Sequence, residues 1–172
     1  MKSAVSLADH LAPDTVNRLE RAAEIRHDDA LILMRARGHI CALYLFGHSA
    51  EMCLAAAYFR ATGFSPMMVI DRDTRLRAMK QARQLLTDAG EPLMSSDPHP
   101  VVGWVRFLRW KRSATKLSPQ EQQRLEAAIF KAEMVYKHWR PELRYKTTHV
   151  QAEQLAEVLK ASTWILEQRG RL

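Results

Sequence analysis

The chain has 172 residues, with 26 Lys and Arg against 19 Asp and Glu and a formal net charge of +7. Hydrophobic residues make up 47% and charged residues 26%, the balance of a globular domain. A chain of this length buries enough apolar surface to need neither disulfides nor metal for its core. Six Gly and seven Pro argue against collagen-like, low-complexity and turn-rich β-sandwich chains.

The elements read as helices almost throughout, since no segment sustains an alternation of period two. We expect one helical domain over 1–172, after a short N-terminal extension over about 1–12. That extension has no apolar run, so no signal peptide is expected. Pro13 and Asp14 open a first helix carrying Val16, Leu19, Ala23 and Ile25. His27, Asp28 and Asp29 mark a break or a new start, and Leu31, Ile32 and Met34 carry the pattern on to a stop at Gly38. The next helix runs from about His39 to Ala61 and ends at Gly63. It is apolar nearly all round and long enough to span a bilayer, but His48 and Glu51 sit at its centre. We read it as the central helix of a soluble bundle. It also carries Cys41 and Cys53, which lie about 18 Å apart along one helix and cannot bridge.

A fourth segment, about Asp73 to Asp88, places Ala78, Met79, Ala82, Leu85 and Leu86 on one side and ends at Gly90. A turn-rich loop leads to Pro100 and a helix with the stripe Val101, Trp104, Val105 and Leu108. Ser118-Pro119-Gln120-Glu121 is a capping box that starts the following helix. Its stripe runs from Leu125 through Ala128, Ile129, Ala132, Val135 and Tyr136 to Trp139, and Pro141 ends it. A loop over RPELRYKT follows. Thr147 or Thr148 then caps a last helix, with Leu155, Val158, Leu159, Ser162, Ile165 and Leu166 on its inner face. The fold class is all-α, an antiparallel bundle of five to six main helices.

Charge is unevenly spread. Residues 71–116 carry ten basic and five acidic side chains, whereas residues 1–70 balance at seven of each. Such a surplus calls for an anionic partner, or else solvates exposed helix faces. Arg72, Arg77, Lys80 and Arg83 share this stretch with Arg106, Arg109, Lys111 and Arg112. These cations suit phosphates, and Trp110, which lies off the Val101–Leu108 stripe, is placed to stack on a base.

Three other sets carry candidate chemistry. Tyr44, His48 and Glu51 are spaced to share one helix face. A buried carboxylate beside an imidazole and a phenol either moves protons or forms a satisfied polar network that fixes helix register. Glu24 and His27 form the chain's one E-x-x-H, whereas helical di-iron sites need two with two further Glu. No metal or other cofactor is therefore expected. Arg144 and His149 form an R-x4-H pair, a combination able to cleave RNA without metal.

The run ALYLFGHSAEMCLAAAYFRATG, Ala42 to Gly63, resembles the central helix of HEPN-domain proteins at Gly47, His48, Glu51, Leu54, Ala56 and Gly63. His99 before an apolar helix and the segment Trp139-x-Pro141-Glu-Leu-Arg144-Tyr145 look like further features of that family. The resemblance implies an antiparallel bundle, a homodimer and a place in bacterial toxin–antitoxin or stress systems. It also implies either RNA or nucleotide binding, or metal-independent RNA cleavage by Arg144 and His149 across a dimer interface. The family's Leu-Lys-Ala is Leu54-Ala55-Ala56 here, and Tyr145 follows Arg144 where active members carry a polar residue. The expectation is thus a cytoplasmic RNA- or nucleotide-binding protein. The ribonuclease stands as one alternative. A non-catalytic protein-interaction module, paired with a partner such as a cognate antitoxin, stands as another.

Overall fold

The computed structural model describes residues 14–88, 101–113, 116–145 and 149–172; the side chains of residues 82, 83, 85–88 and 144 lie outside that description. Six α-helices follow one another among the described residues: α1 Val16–Arg35, α2 His39–Ala61, α3 Arg72–Asp88, α4 Val101–Ser113, α5 Pro119–His138 and α6 Ala152–Gln168. The expected stop at Gly90 and the loop before Pro100 fall outside the described residues; the last helix is capped not at Thr147 or Thr148 but at Gln151, whose backbone N–H donates to the Gln154 side chain.

The centre of the molecule is α2. Fourteen of its 23 residues are buried, and it packs against α1, α4, α5, α6 and a short 3-10 helix. It is the one helix among the described residues long and apolar enough to cross a membrane, but its apolar surface is spent on its neighbours. Small side chains bring those neighbours close. Ala23 of α1 and Ala42, Ala50, Ala56 and Ala57 of α2 are fully buried, and Ser49 Oγ donates to the Ala23 carbonyl at 2.8 Å.

The expected break at residues 27–29 does not occur. α1 is continuous, and His27 is buried on its inner face. The His-Asp-Asp run imitates a helix start, but burial of His27 between Leu19, Ala23 and Ala30 along the same face keeps the helix going. At the start of α1 the Thr15 side chain accepts from Arg18 N–H at 3.2 Å. The loop after α2 returns to this end, where Ile70 N–H donates to the Asp14 carbonyl at 2.7 Å and Val69 forms a single antiparallel bridge with Thr15. No other extended pairing is present among the described residues.

Helix ends follow known rules, with one displacement. α2 closes with Gly63 at φ 92°, Gly63 N–H on the Arg60 carbonyl and Phe64 N–H on the Phe59 carbonyl. The Phe59 and Phe64 rings meet at 5.2 Å, completing a Schellman motif. α1 closes in the same way, but its left-handed residue is Arg37 at φ 61°, one position before Gly38. α5 starts with the expected capping box, the Ser118 and Glu121 side chains each accepting from the other's backbone N–H. Part of the expected RPELRYKT loop, Pro141–Tyr145, is instead the 3-10 helix, which packs on α2.

Candidate functional site

The polar stripe on α2 is real and acquires a fourth member. His48 Nδ1 lies 3.2 Å from Glu51 Oε2, and Glu51 is 2% exposed. The Tyr44 ring stacks on His48 with centroids 5.8 Å apart. Trp139, the residue that ends α5, stacks on His48 at 6.4 Å and donates its indole N–H to the Tyr44 carbonyl at 2.9 Å. Trp139 fits because residue 47 is glycine: a Cβ there would lie 2.1 Å from the indole ring. The trace of this contact in the sequence is a Gly in the middle of an otherwise strong helix, where it costs about 1 kcal/mol unless something packs against it. Chemically the arrangement is a clasp. A buried carboxylate orients an imidazole, and two aromatic rings hold that imidazole between α2 and the end of α5.

The R-x4-H pair lies at the chain's last connection. The backbone of Arg144 belongs to the 3-10 helix packed on α2, and His149 is exposed ahead of α6. Residues 146–148 between them, and the Arg144 side chain, lie outside the description, as does His99.

The basic residues divide into two groups. On α3, Arg72, Arg77 and Lys80 are exposed, Arg77 donating to Thr74 Oγ1 at 3.0 Å, while the Arg83 side chain is outside the description. α3 packs against α4. On α4 the stripe Val101, Trp104, Val105 and Leu108 is buried, and Phe107 is buried beside it. Arg106 pairs with Glu133 at 2.8 Å and Arg109 with Glu126 at 3.5 Å, both carboxylates belonging to α5. These bridges narrow the expected cationic face, because part of its charge is met by α5. Lys111 is exposed, and Trp110 is 52% exposed with its ring 5.7 Å from Phe107.

Arg112 leaves this face. It donates to the Leu172 carbonyl and lines a cleft with Arg60, Arg124 and Arg171. Sequence reasoning passed over those last three cations, because they come from three separate segments and no motif links them. Their one local signal is Arg60, a cation placed at the end of an otherwise apolar helix.

The E-x-x-H residues part company. Glu24 bonds Arg21 and Arg169, whereas His27 Nε2 lies 2.9 Å from Thr163 Oγ1 and its ring meets Phe46 edge-on. No group of three His, Cys, Asp or Glu among the described residues converges as a metal site. Cys53 is buried, which pushes its thiol up to about 12, and Cys41 is exposed; both are free. No family model, no curated protein and no solved structure matches this chain.

Proposed function

We propose that this chain is a HEPN-like RNA-binding protein that holds single-stranded RNA on the exposed faces of α3 and α4 without cutting it. One observation carries the reading: Trp110 stands 52% exposed between Arg109 and Lys111 while the other large apolar side chains of its helix are buried. An indole left in water costs hydrophobic free energy, and flanking cations make it a stacking platform beside phosphate donors. Arg72, Arg77 and Lys80 on the adjoining helix extend the cationic surface. The reading includes a homodimer, as the family resemblance implies. The sequence departures at Ala55 and Tyr145 favour binding over cleavage.

Fluorescence anisotropy with a labelled single-stranded oligoribonucleotide tests it. Trp110→Ala should weaken binding by about 5- to 150-fold, the worth of one stacked base at roughly 1–3 kcal/mol. Lys111→Ala should weaken it less and make it less sensitive to salt, and the RNA should stay intact throughout. Equal affinity for wild type and Trp110→Ala contradicts the proposal, as does cleavage that His149→Ala abolishes.

A further inference from the structure

The arginine cleft is a second feature, and it shares no residue with the Trp110 surface. It opens where the end of α2, the end of α4, the beginning of α5 and the residues after α6 come together, with a volume of about 570 Å³. Arg60, Arg112, Arg124 and Arg171 line it, and Glu121 is the one acidic side chain among the described lining residues. Its carboxylate accepts from Ser118 in the capping box, and its charge also faces Arg112 and Arg124. The volume falls in the range of small-ligand sites, roughly 300–1,000 Å³.

Two of the four guanidiniums are anchored. Arg60 donates to Glu20 and to the Arg169 carbonyl, and Arg112 donates to the Leu172 carbonyl. Each guanidinium carries five N–H donors in a planar fork, so the two bonds of Arg60 leave others for a ligand. Arg124, half-buried, faces the Glu121 charge, and Arg171 is exposed. Four guanidiniums thus stand around the cleft against one acidic side chain. Burial, then repulsion from Arg112 and Arg169, lowers the pKa of Arg60. An anion placed between these groups would relieve that repulsion. The remaining walls include Ala61, Leu117 and Leu172, and no aromatic residue is among the described lining. Nothing there stacks on a base, so the cleft selects for charge and for oxygen atoms that accept bidentate guanidinium bonds, the chemistry of phosphate.

We propose that this cleft binds a compact polyphosphate group, carried either by a free nucleotide or by the phosphorylated end of an RNA strand. Isothermal titration calorimetry on the full chain at constant ionic strength tests it, with pyrophosphate as the probe and sulfate as the control anion. Pyrophosphate should bind more tightly than sulfate and raise the thermal midpoint. Arg124→Ala and Arg171→Ala should each weaken it by about tenfold, as expected for losing one charge-assisted pair. Arg171 is exposed, so its variant keeps the test valid if Arg124→Ala perturbs folding. Trp110→Ala should leave pyrophosphate binding unchanged, which separates failure of this site from failure of the RNA surface. Tighter binding of ADP than of pyrophosphate assigns the phosphate to a nucleotide. Preference for a 5′-phosphorylated over a 5′-hydroxyl oligoribonucleotide, lost in Arg171→Ala, assigns it to an RNA end. Absence of pyrophosphate binding up to about 5 mM, a concentration that detects even millimolar sites, overturns the proposal. Binding that both arginine variants leave intact also overturns it.

Discussion

A methyl group at position 47 would sit inside the indole of Trp139, 2.1 Å from its nearest ring atoms. Helix propensity alone says that Gly47→Ala stabilises α2 by about 1 kcal/mol. Packing says the reverse, because a fully buried Trp cannot yield. The net effect should be a loss of at least about 2 kcal/mol, read from a denaturant midpoint, and a stabilised variant would refute the clasp. His27 provides a second test at this scale. Its burial lowers the imidazole pKa from the ordinary 6.5, against smaller opposing effects of Asp28 and Glu167. The unfolded chain therefore takes up a proton there more readily than the folded protein. The stability that neutral His27 contributes is complete above pH 6.5 and declines as pH falls below it. His27→Gln, which keeps a partner for Thr163, should flatten the fall in midpoint between about pH 7.5 and 5.5; an unchanged fall removes His27 as its source. The stripe of Tyr44, His48 and Glu51 was legible because helical spacing is local. Trp139 as its fourth member was not, since it lies 88 positions after Glu51 and only topology brings it back.

Helix ends show the same division. The capping box at Ser118 and Glu121 involves a span of four residues, so its signature is complete in the sequence. The stop of α1 was read one residue late. Gly38 is the natural choice for a left-handed residue, yet the chain places Arg37 there and uses Gly38 N–H to bond the Leu33 carbonyl. A non-glycine residue in that region costs about 1 kcal/mol, so Arg37→Gly should raise stability by up to that amount. Gly63→Ala should lower it by a similar amount, although a Cβ there meets nothing within 4 Å, because the penalty lies in the backbone alone. Denaturant midpoints that move in the same direction for both variants would contradict this account of the two caps. The continuity of α1 through His27-Asp28-Asp29 was hidden for a different reason. Those residue types favour a start locally, and burial of His27 against the rest of the bundle overrides that preference.

At the scale of the molecule, apolar periodicity was enough to read an all-α bundle with α2 at its centre, since a helix greasy on every side has to be surrounded. The distribution of charge was only half legible. A surplus over residues 71–116 pointed to α3 and α4, and their exposed cations are there. Arg106 and Arg109 nevertheless turned to carboxylates on α5, and Arg112 joined cations from distant parts of the chain. Such pairings depend on which helix faces which, and sequence composition does not carry that information. The proposed RNA surface rests on Trp110 and its neighbours. Titration of the wild-type protein with single-stranded RNA, followed by tryptophan fluorescence from about 50 to 200 mM salt, tests it most directly. The account predicts quenching of Trp110, absent in Trp110→Phe without RNA-dependent compensation elsewhere, and affinity that falls with the logarithm of salt by about 0.7 per phosphate contacted. Binding that is indifferent to salt, or a Trp110 signal that RNA leaves untouched, would contradict it.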